Sequence, residues 1–290
     1  DGCENFCAYC AIPYARGPIK SRDVNDVVDE IQTLVNSGVK EIILSGINTG
    51  TYGKDLNSNI TLSKLIDQIL SSVDGYFRIR LSSIELMEIT DELLDVYEKY
   101  PTKIARHFHI PLQAGCDNTL IRMKRKYLTS DYEALINKIR LRFPSIAITT
   151  DCLAGFVGET IDDFNDALKF IEKINFSSMH IFPYSRRKNT EADKMSGHLP
   201  GDVITERTRK MQELAQNMAK NYQENNLGKE MVVLVEQKKN NYWVGHTSNY
   251  LEVKFIQTGK YTNKLVLVKL NTIDNGTIIG EFIKEVENEF

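Results

Sequence analysis

Three cysteines stand within the first ten residues, at Cys3, Cys7 and Cys10, in the spacing C-x3-C-x2-C. Thiolates are soft ligands that hold iron–sulfur clusters or zinc, and three of them on one short loop can converge on a single cluster. A structural zinc needs a fourth ligand, and the next cysteine or histidine along the chain is His107. Three ligands leave one iron of a 4Fe-4S cluster open to a substrate or cofactor. The spacing therefore favours a catalytic cluster, with zinc and three unrelated buried cysteines as alternatives.

Short β-rich apolar segments alternate with amphipathic helical patterns over the first two thirds of the chain. The helices have recognisable N-cap residues in Asp23, Thr61 or Ser63, Thr90, Thr129 and Thr160. The predicted strands are residues 39–45, 77–82, 106–112, 146–151 and 178–183. This rhythm predicts an α/β fold with a parallel sheet and right-handed connections. A closed eight-stranded barrel needs roughly 250 residues, so an incomplete (β/α) barrel or an open doubly wound sheet is expected. In either, ligands gather at the carboxyl ends of the strands.

The pattern changes near Asn221. A long helical pattern over 202–226, with Gly228 as its expected C-cap, is followed by five short segments of strand character. These are residues 231–235, 242–244, 251–255, 265–270 and 277–282. Five strands in so short a stretch predict a small all-β barrel of the OB kind, a fold often used to bind nucleic acid. We therefore expect an α/β domain over 1–223 and an all-β domain over 224–290.

Composition excludes several classes of protein. The 290 residues carry 36 basic and 39 acidic side chains, a formal net charge of −3, and 42% are hydrophobic, as in ordinary soluble proteins. No apolar run approaches the roughly 18 residues of a membrane span. Five cysteines, three of them clustered, suit a reducing compartment, and the cytoplasm is expected. The first residue is not Met and no leader follows it, from which we expect a fragment or a processed chain.

The cysteine loop ahead of a β/α array resembles the radical S-adenosylmethionine (SAM) superfamily. Further segments resemble its methylthiotransferase branch, namely residues 10–17 (CAIPYARG), 21–22, 81–85 (LSSIE), 109–113 (HIPLQ) and 155–160 (GFVGET). Residues 45–50, 149–151 and 245–250 are most similar to members of that branch that modify threonylcarbamoyladenosine at tRNA position 37. The terminal barrel resembles a TRAM domain, the RNA-binding module of the family.

The resemblance implies a definite chemistry. The family uses two 4Fe-4S clusters and two molecules of SAM. One SAM methylates sulfur at an auxiliary cluster. The other binds the open iron at Cys3, Cys7 and Cys10 and yields a radical that removes hydrogen from adenine carbon 2, where a methylthio group is placed. We expect the tRNA anticodon stem-loop as partner, flavodoxin or ferredoxin as electron donor, no membrane, and a monomer.

One departure from the family pattern concerns the auxiliary cluster. In the family three further cysteines on an amino-terminal domain hold it, and this chain starts after the place of that domain. Cys116 and Cys152 are too few to replace them. We therefore expect one cluster in this chain, no complete sulfur insertion, and a barrel without its first strand.

The resemblance and the strand ends together indicate cofactor-binding residues. Tyr9, just before the third cysteine, is expected near the SAM adenine, although a packed loop aromatic is the plain alternative. At the ends of successive strands lie Gly46, where backbone can approach a ligand closely, and then Ser83, Glu85, Gln113 and Asp151. A turn glycine and an exposed acid are the plain alternatives for Gly46 and Glu85. The superfamily's Gly-Gly-Glu does not occur at this place.

Basic and aromatic residues indicate where RNA binds. We expect contacts from a basic turn after the last parallel strand and from aromatic residues of the barrel interleaved with lysines. The expected RNA-binding residues are Arg16, Arg186, Arg187, Lys188, Tyr242, Trp243, His246 and Tyr250. The basic run Arg122, Lys124, Arg125 and Lys126 is interpreted instead as a solvated helix face. His107 and His109 are interpreted as satisfied barrel residues rather than a metal pair.

Three other functions are compatible with these residues. A sister enzyme of the same branch methylthiolates an aspartate of a ribosomal protein. A non-catalytic RNA-binding fragment would share the barrel, and a zinc-dependent barrel hydrolase would share the cysteines. No residue is assigned as catalytic beyond the cluster ligands.

Overall fold

The computed structural model describes residues 1–57 and 59–287. Five parallel strands form its first part, in the order β1 to β5, with β1 paired to β2 and β4 lying between β3 and β5. Isolated bridges from Ile79 to Ile104 and from Ser83 to His109 connect the two groups of strands. The strands are β1 (Glu41–Leu44), β2 (Arg78–Leu81), β3 (His107–His109), β4 (Ala147–Ala154) and β5 (Ser178–Pro183). Because the spatial order follows the chain order, the sheet is a partial (β/α) barrel and not a doubly wound sheet.

Nine α-helices lie among the described residues. They are α1 (Ile12–Arg16), α2 (Val24–Asn36), α3 (Leu62–Ser72), α4 (Asp91–Lys99), α5 (Asp117–Arg122), α6 (Thr129–Arg142), α7 (Ile161–Ile174), α8 (Glu191–Lys194) and α9 (Gly201–Glu224). No helix in this part of the chain is long and apolar enough to cross a membrane.

Most predicted helix starts are confirmed. The side chains of Asp23, Thr61, Thr90 and Thr160 each accept a hydrogen bond from an amide of the first turn of their helix. The prediction for Thr129 is wrong, because it is the first helical residue and Leu128 is the N-cap. Asp131 accepts from the Leu128 amide and Asp117 from the Thr129 amide, so carboxylates replace the expected hydroxyl.

The sheet separates an apolar layer from a polar interior. Ile79, Leu81 and Phe108 are buried in the core formed with the helices. The alternate residues of the same strands, such as Arg80 and His107, lie on the opposite face because side chains alternate along a strand. The helices therefore cover one face, and the other face lines a polar interior.

The C-terminal part is a closed five-stranded barrel with the strand order β10-β8-β7-β6-β9. Its strands are β6 (Glu230–Lys239), β7 (Tyr242–Thr247), β8 (Glu252–Phe255), β9 (Leu265–Asp274) and β10 (Thr277–Val286). The prediction for Gly228 is wrong, because α9 ends with Asn225 as its C-cap. Gly228, with φ +81°, lies in the turn before β6, where its amide donates to Leu270 O at 2.6 Å. The predicted domain boundary at 223/224 falls at the last residues of α9.

Residues 155–160 connect the parallel sheet to α9 through hydrogen bonds and a buried ion pair. A carboxylate oxygen of Glu159 accepts from the Gly155 amide at 3.1 Å and from Arg207 Nη1 of α9 at 2.6 Å. Both charged side chains are buried, with 3% of Glu159 and 9% of Arg207 exposed. Burial raises the pKa of Glu159 although Arg207 stabilises its charge. Residues 155–160, which resemble the methylthiotransferase branch, therefore have a structural role. They stabilise the loop between β4 and α7.

We expect Glu159→Gln to lower the free energy of unfolding by about 3 kcal/mol or more, because removing one member of a buried pair leaves the other charge uncompensated. Glu213→Gln is the matched control, since Glu213 pairs with Arg209 on the exposed face of the same helix. That change is expected to cost less than about 1 kcal/mol. Urea unfolding followed by circular dichroism measures both, and equal losses would contradict the assignment.

Candidate active site

The cysteine loop is held by backbone hydrogen bonds to two distant segments. The Ala8 amide donates to Met123 O at 3.0 Å, and Ala8 O accepts from the Ala192 amide at 2.8 Å. Within the loop the Cys10 amide donates to Cys7 O at 3.0 Å, and helix α1 follows directly. The loop is therefore fixed between α5 and α8.

The three thiols form one group. All are free and partly buried, and burial, with a further contribution from the nearby Cys7, raises the pKa of Cys3 and of Cys10. In the described part of the chain no three Cys, His, Asp or Glu side chains converge closely enough for a single metal ion. A four-iron cluster is wider than an ion, so its ligands need not meet at one point. Three soft donors on one loop fit such a cluster better than mononuclear zinc.

Arg125 lies directly against this group. Its Nη1 is 3.3 Å from Cys7 Sγ, its Nη2 binds Glu85, and its Nε donates to the Tyr127 hydroxyl at 3.2 Å. Only 4% of the Arg125 side chain is exposed. The interpretation of this residue as part of a solvated helix face is therefore wrong. A buried cation beside Cys7 favours an anionic cluster at this loop.

The predicted cofactor residues are only partly brought together. The Tyr9 ring packs edge-on against Phe156, with centroids 6.2 Å apart, beside the cysteine loop. Glu85 is engaged by Arg125, and its role toward a ribose stays a prediction. Gly46 lines a separate cavity of about 340 Å³ between β1 and α2. It does not share the space of the other strand ends.

Ser83 and Asp151 line a larger cavity of about 640 Å³ inside the partial barrel, here called the chamber. Asp151 Oδ2 lies 3.3 Å from His109 Nε2, and the Ser83 backbone bridges to His109. Gln113 lies after the end of β3 with φ +65°, and its amide donates to Asp151 O at 2.9 Å, but it does not line the chamber. A left-handed residue other than glycine at a strand end is a conformation often found at functional sites.

The basic turn after β5 lies near the cysteine loop. Arg187 lowers the pKa of Cys10 by its charge, which opposes the larger effect of burial. Arg187 and Lys188 are exposed, and Arg186 binds Asp193 at 2.9 Å. Arg16, also exposed, lies 3.6 Å from Asp1. An exposed basic surface thus borders the site.

The aromatic residues predicted to bind RNA are divided between two faces of the barrel wall. Trp243 is only 4% exposed, and its Nε1 donates to Gln257 O at 3.0 Å inside the barrel core. The RNA-binding prediction for Trp243 is therefore wrong. Tyr242 is partly exposed, with Lys254 5.3 Å from its ring centroid. His246 binds Glu236 at 2.7 Å and stacks on Tyr250, which faces the chamber rather than an open RNA surface.

Comparison with known proteins identifies the family. Residues 1–171 match the model of the radical SAM superfamily, which is more than half of the chain. The chain therefore belongs to the radical SAM superfamily.

Two curated relatives cover nearly the whole chain. It is 38% identical over 294 residues to the threonylcarbamoyladenosine tRNA methylthiotransferase MtaB of Bacillus subtilis, covering 100% of this chain and 65% of that protein. It is 36% identical to the tRNA-2-methylthio-N(6)-dimethylallyladenosine synthase of Acetivibrio thermocellus, covering 98% of this chain and 59% of that protein. The chain thus spans about three fifths of the length of these relatives.

Among solved structures, the radical SAM methyltransferase TsrM of Kitasatospora setae superposes with a TM-score of 0.54 at 17% identity. The match covers 66% of this chain and 34% of that one. This similarity supports the partial (β/α) barrel. It bears on the fold alone.

Proposed function

We propose that this chain carries the radical SAM core and the TRAM barrel of a tRNA methylthiotransferase that acts on threonylcarbamoyladenosine at position 37. The observation that carries the proposal is the loop of Cys3, Cys7 and Cys10, in which Cys7 Sγ lies 3.3 Å from the buried Arg125 guanidinium. Both curated relatives are named as tRNA-modifying enzymes with a methylthio product or activity. The two names differ in the modified nucleoside, and the choice of threonylcarbamoyladenosine rests on the resemblance of residues 45–50, 149–151 and 245–250 to members that modify it.

The three cysteines would hold a 4Fe-4S cluster with one iron open to SAM. When bound, that cluster supplies the electron for cleavage of SAM. A second, auxiliary cluster has no comparable cysteine set among the described residues, since Cys116 and Cys152 are buried singly. A flavodoxin or ferredoxin donor, a monomeric state and a cytoplasmic location belong to the same proposal and stay predictions.

The chain's own residues would position the reactants. Arg125 keeps a positive charge beside Cys7, and Glu85 and Tyr127 hold its guanidinium in place. The Tyr9 ring packs against Phe156 and covers that side of the cysteine loop. The exposed basic residues Arg16, Arg187 and Lys188 would contact phosphates and so orient the RNA without reading its sequence. The protein's share is thus to place the adenine and exclude side reactions.

Mass spectrometry of tRNA nucleosides tests the function. Deletion of the gene in its host is expected to remove the methylthio form of threonylcarbamoyladenosine and leave methylthio-dimethylallyladenosine unchanged. Restoring the gene is expected to return the product. Unchanged tRNA nucleosides together with loss of methylthio-aspartate from a ribosomal protein would favour the sister enzyme instead.

A further inference from the structure

The floor of the chamber is built by the C-terminal barrel. The turn between β7 and β8 enters the open end of the partial barrel, and Asn249, Tyr250 and Leu251 line the cavity from below. The walls come from residues of β2 to β5, among them Phe182 of β5, and Ser83 follows β2. Asp151 also lines the wall, but the prediction that it ends its strand is wrong, because β4 continues to Ala154. The chamber therefore extends from Ser83, which is predicted to bind the cofactor, to the C-terminal barrel.

Hydrogen bonds from the first domain fix this turn. Arg80, itself held by Glu41, donates from Nη2 to Thr247 O at 3.1 Å and from Nη1 to Ser248 O at 3.2 Å. The Arg106 amide donates to Ser248 Oγ at 2.9 Å. Asn249 Nδ2 donates to the Tyr222 hydroxyl of α9 at 2.8 Å. The floor is thus held in place as an integral part of the chamber.

Tyr250 is the principal residue of the floor. Its backbone has φ +64°, which is uncommon for a large side chain and persists only where the surroundings enforce it. Its ring stacks on His107 at 4.7 Å and on His246 at 5.0 Å, and the Arg80 guanidinium lies 5.0 Å from its centroid. Even so, 47% of the residue is exposed. The backbone of Tyr250 is therefore strained, and its ring is held in place by three neighbouring side chains. Part of the ring remains open to the cavity.

The wall next to Tyr250 is an ordered chain of polar groups. Asp151 contacts His109 Nε2 at 3.3 Å, His109 Nδ1 is 2.9 Å from Thr149 Oγ1, and that hydroxyl is 2.8 Å from His107 Nε2. Because a carboxylate only accepts, His109 Nε2 donates to Asp151, and the Thr149 hydroxyl lies between the two imidazoles. Burial lowers the pKa of His107 well below its usual range, so this imidazole is neutral. His180 and Ser178 continue the polar lining on β5.

We propose that the chamber receives the N6 substituent of the modified adenosine, and that Tyr250 is a specificity-determining residue supplied by the C-terminal barrel. This inference rests on the proposed function. Threonylcarbamoyl carries a hydroxyl, a urea and a carboxylate, which can form hydrogen bonds with a polar wall. A dimethylallyl group offers no hydrogen-bond partner to polar groups that line the chamber, such as Asp151, Ser178 and His180, so its binding would remove their water without replacing it.

Binding of synthetic anticodon stem-loops to the full chain tests this inference. Three stem-loops are compared, carrying at position 37 adenosine, threonylcarbamoyladenosine or dimethylallyladenosine. We expect the threonylcarbamoyl form to bind roughly tenfold more tightly than the dimethylallyl form. Tyr250→Gly is expected to reduce that ratio to roughly threefold or less, while affinity for the unmodified stem-loop changes little. Glycine also relieves the left-handed backbone, so this variant keeps its fold.

Tyr76→Ala is the matched control, because Tyr76 is exposed to a similar degree, 52%, but does not line the chamber. It is expected to leave the ratio intact. Equal binding of the two modified stem-loops by the unaltered protein would overturn the chamber proposal while the proposed function stands on the nucleoside analysis. An undiminished ratio in Tyr250→Gly would overturn the role of Tyr250. Failure to bind any stem-loop would remove the proposed function, and this inference with it.

Discussion

Cys7→Ala is expected to abolish iron–sulfur binding and SAM cleavage in the anaerobically reconstituted protein. Cys7 lies between the other two cysteines in the loop and contacts Arg125, so its loss removes a ligand from the centre of the set. The fall in dithionite-dependent release of 5′-deoxyadenosine should exceed the roughly 10- to 100-fold losses typical of changes around metal ligands. Binding of the tRNA stem-loop should persist, because the exposed basic surface and the chamber remain.

Cys116→Ala is the matched control for that variant. Cys116 is buried next to Asp163, far along the chain from the loop, and its removal should leave iron content and SAM cleavage unchanged. Iron and sulfide analysis with Mössbauer spectra measures the cluster directly. A full complement of iron in Cys7→Ala, or stoichiometric zinc in protein purified without oxygen, would contradict the ligand assignment.

The fold could be predicted largely because its periodicity is local. Five strand segments and their helix caps follow from residue patterns within windows of a few residues, and the strands found overlap the predicted ones. Strand β3 is shorter than predicted, His107–His109 instead of residues 106–112. Pro111 has no amide to donate, and the Leu112 amide donates to the side-chain hydroxyl of Thr150 in β4 instead of to a backbone carbonyl. The apolar pattern of the sequence alone does not show where the hydrogen bonding between β3 and β4 ends.

The site was harder to predict, because its charges are paired across long sequence distances. Arg125 is buried by a partner 40 residues earlier, Glu85, and nothing in the basic run 122–126 distinguishes it from its exposed neighbours. For Trp243 in the C-terminal barrel, the sequence did contain a signal of burial. Tyr242 and His246 share one face of β7 by the two-residue period, so Trp243 must face the other way, into the core. The chamber floor depends on how two domains pack, which no local pattern contains.

Arg125→Gln is expected to lower the reduction potential of the reconstituted cluster. A reduced cluster carries one more negative charge than the oxidised form, so a buried cation 3.3 Å from a ligand sulfur stabilises the reduced form more. Removing that charge should shift the potential downward by on the order of 60 mV, which corresponds to about 1.4 kcal/mol for one electron. Electron delivery would then become less favourable by roughly tenfold. Glutamine keeps much of the side-chain volume, so the loop should retain its position.

Lys124→Gln separates this local effect from a change in overall charge. Lys124 is the adjacent residue, but 53% of its side chain is exposed and it pairs with Glu191 at the surface, where water and salt screen its charge. Both variants lose one positive charge, yet only Arg125→Gln should move the potential measured by redox titration with electron paramagnetic resonance. An equal shift in both would mean that net charge, and not the guanidinium at Cys7, tunes the cluster. The comparison thus tests whether the ion pair of Glu85 and Arg125, which joins the segments that follow β2 and α5, is part of the redox site.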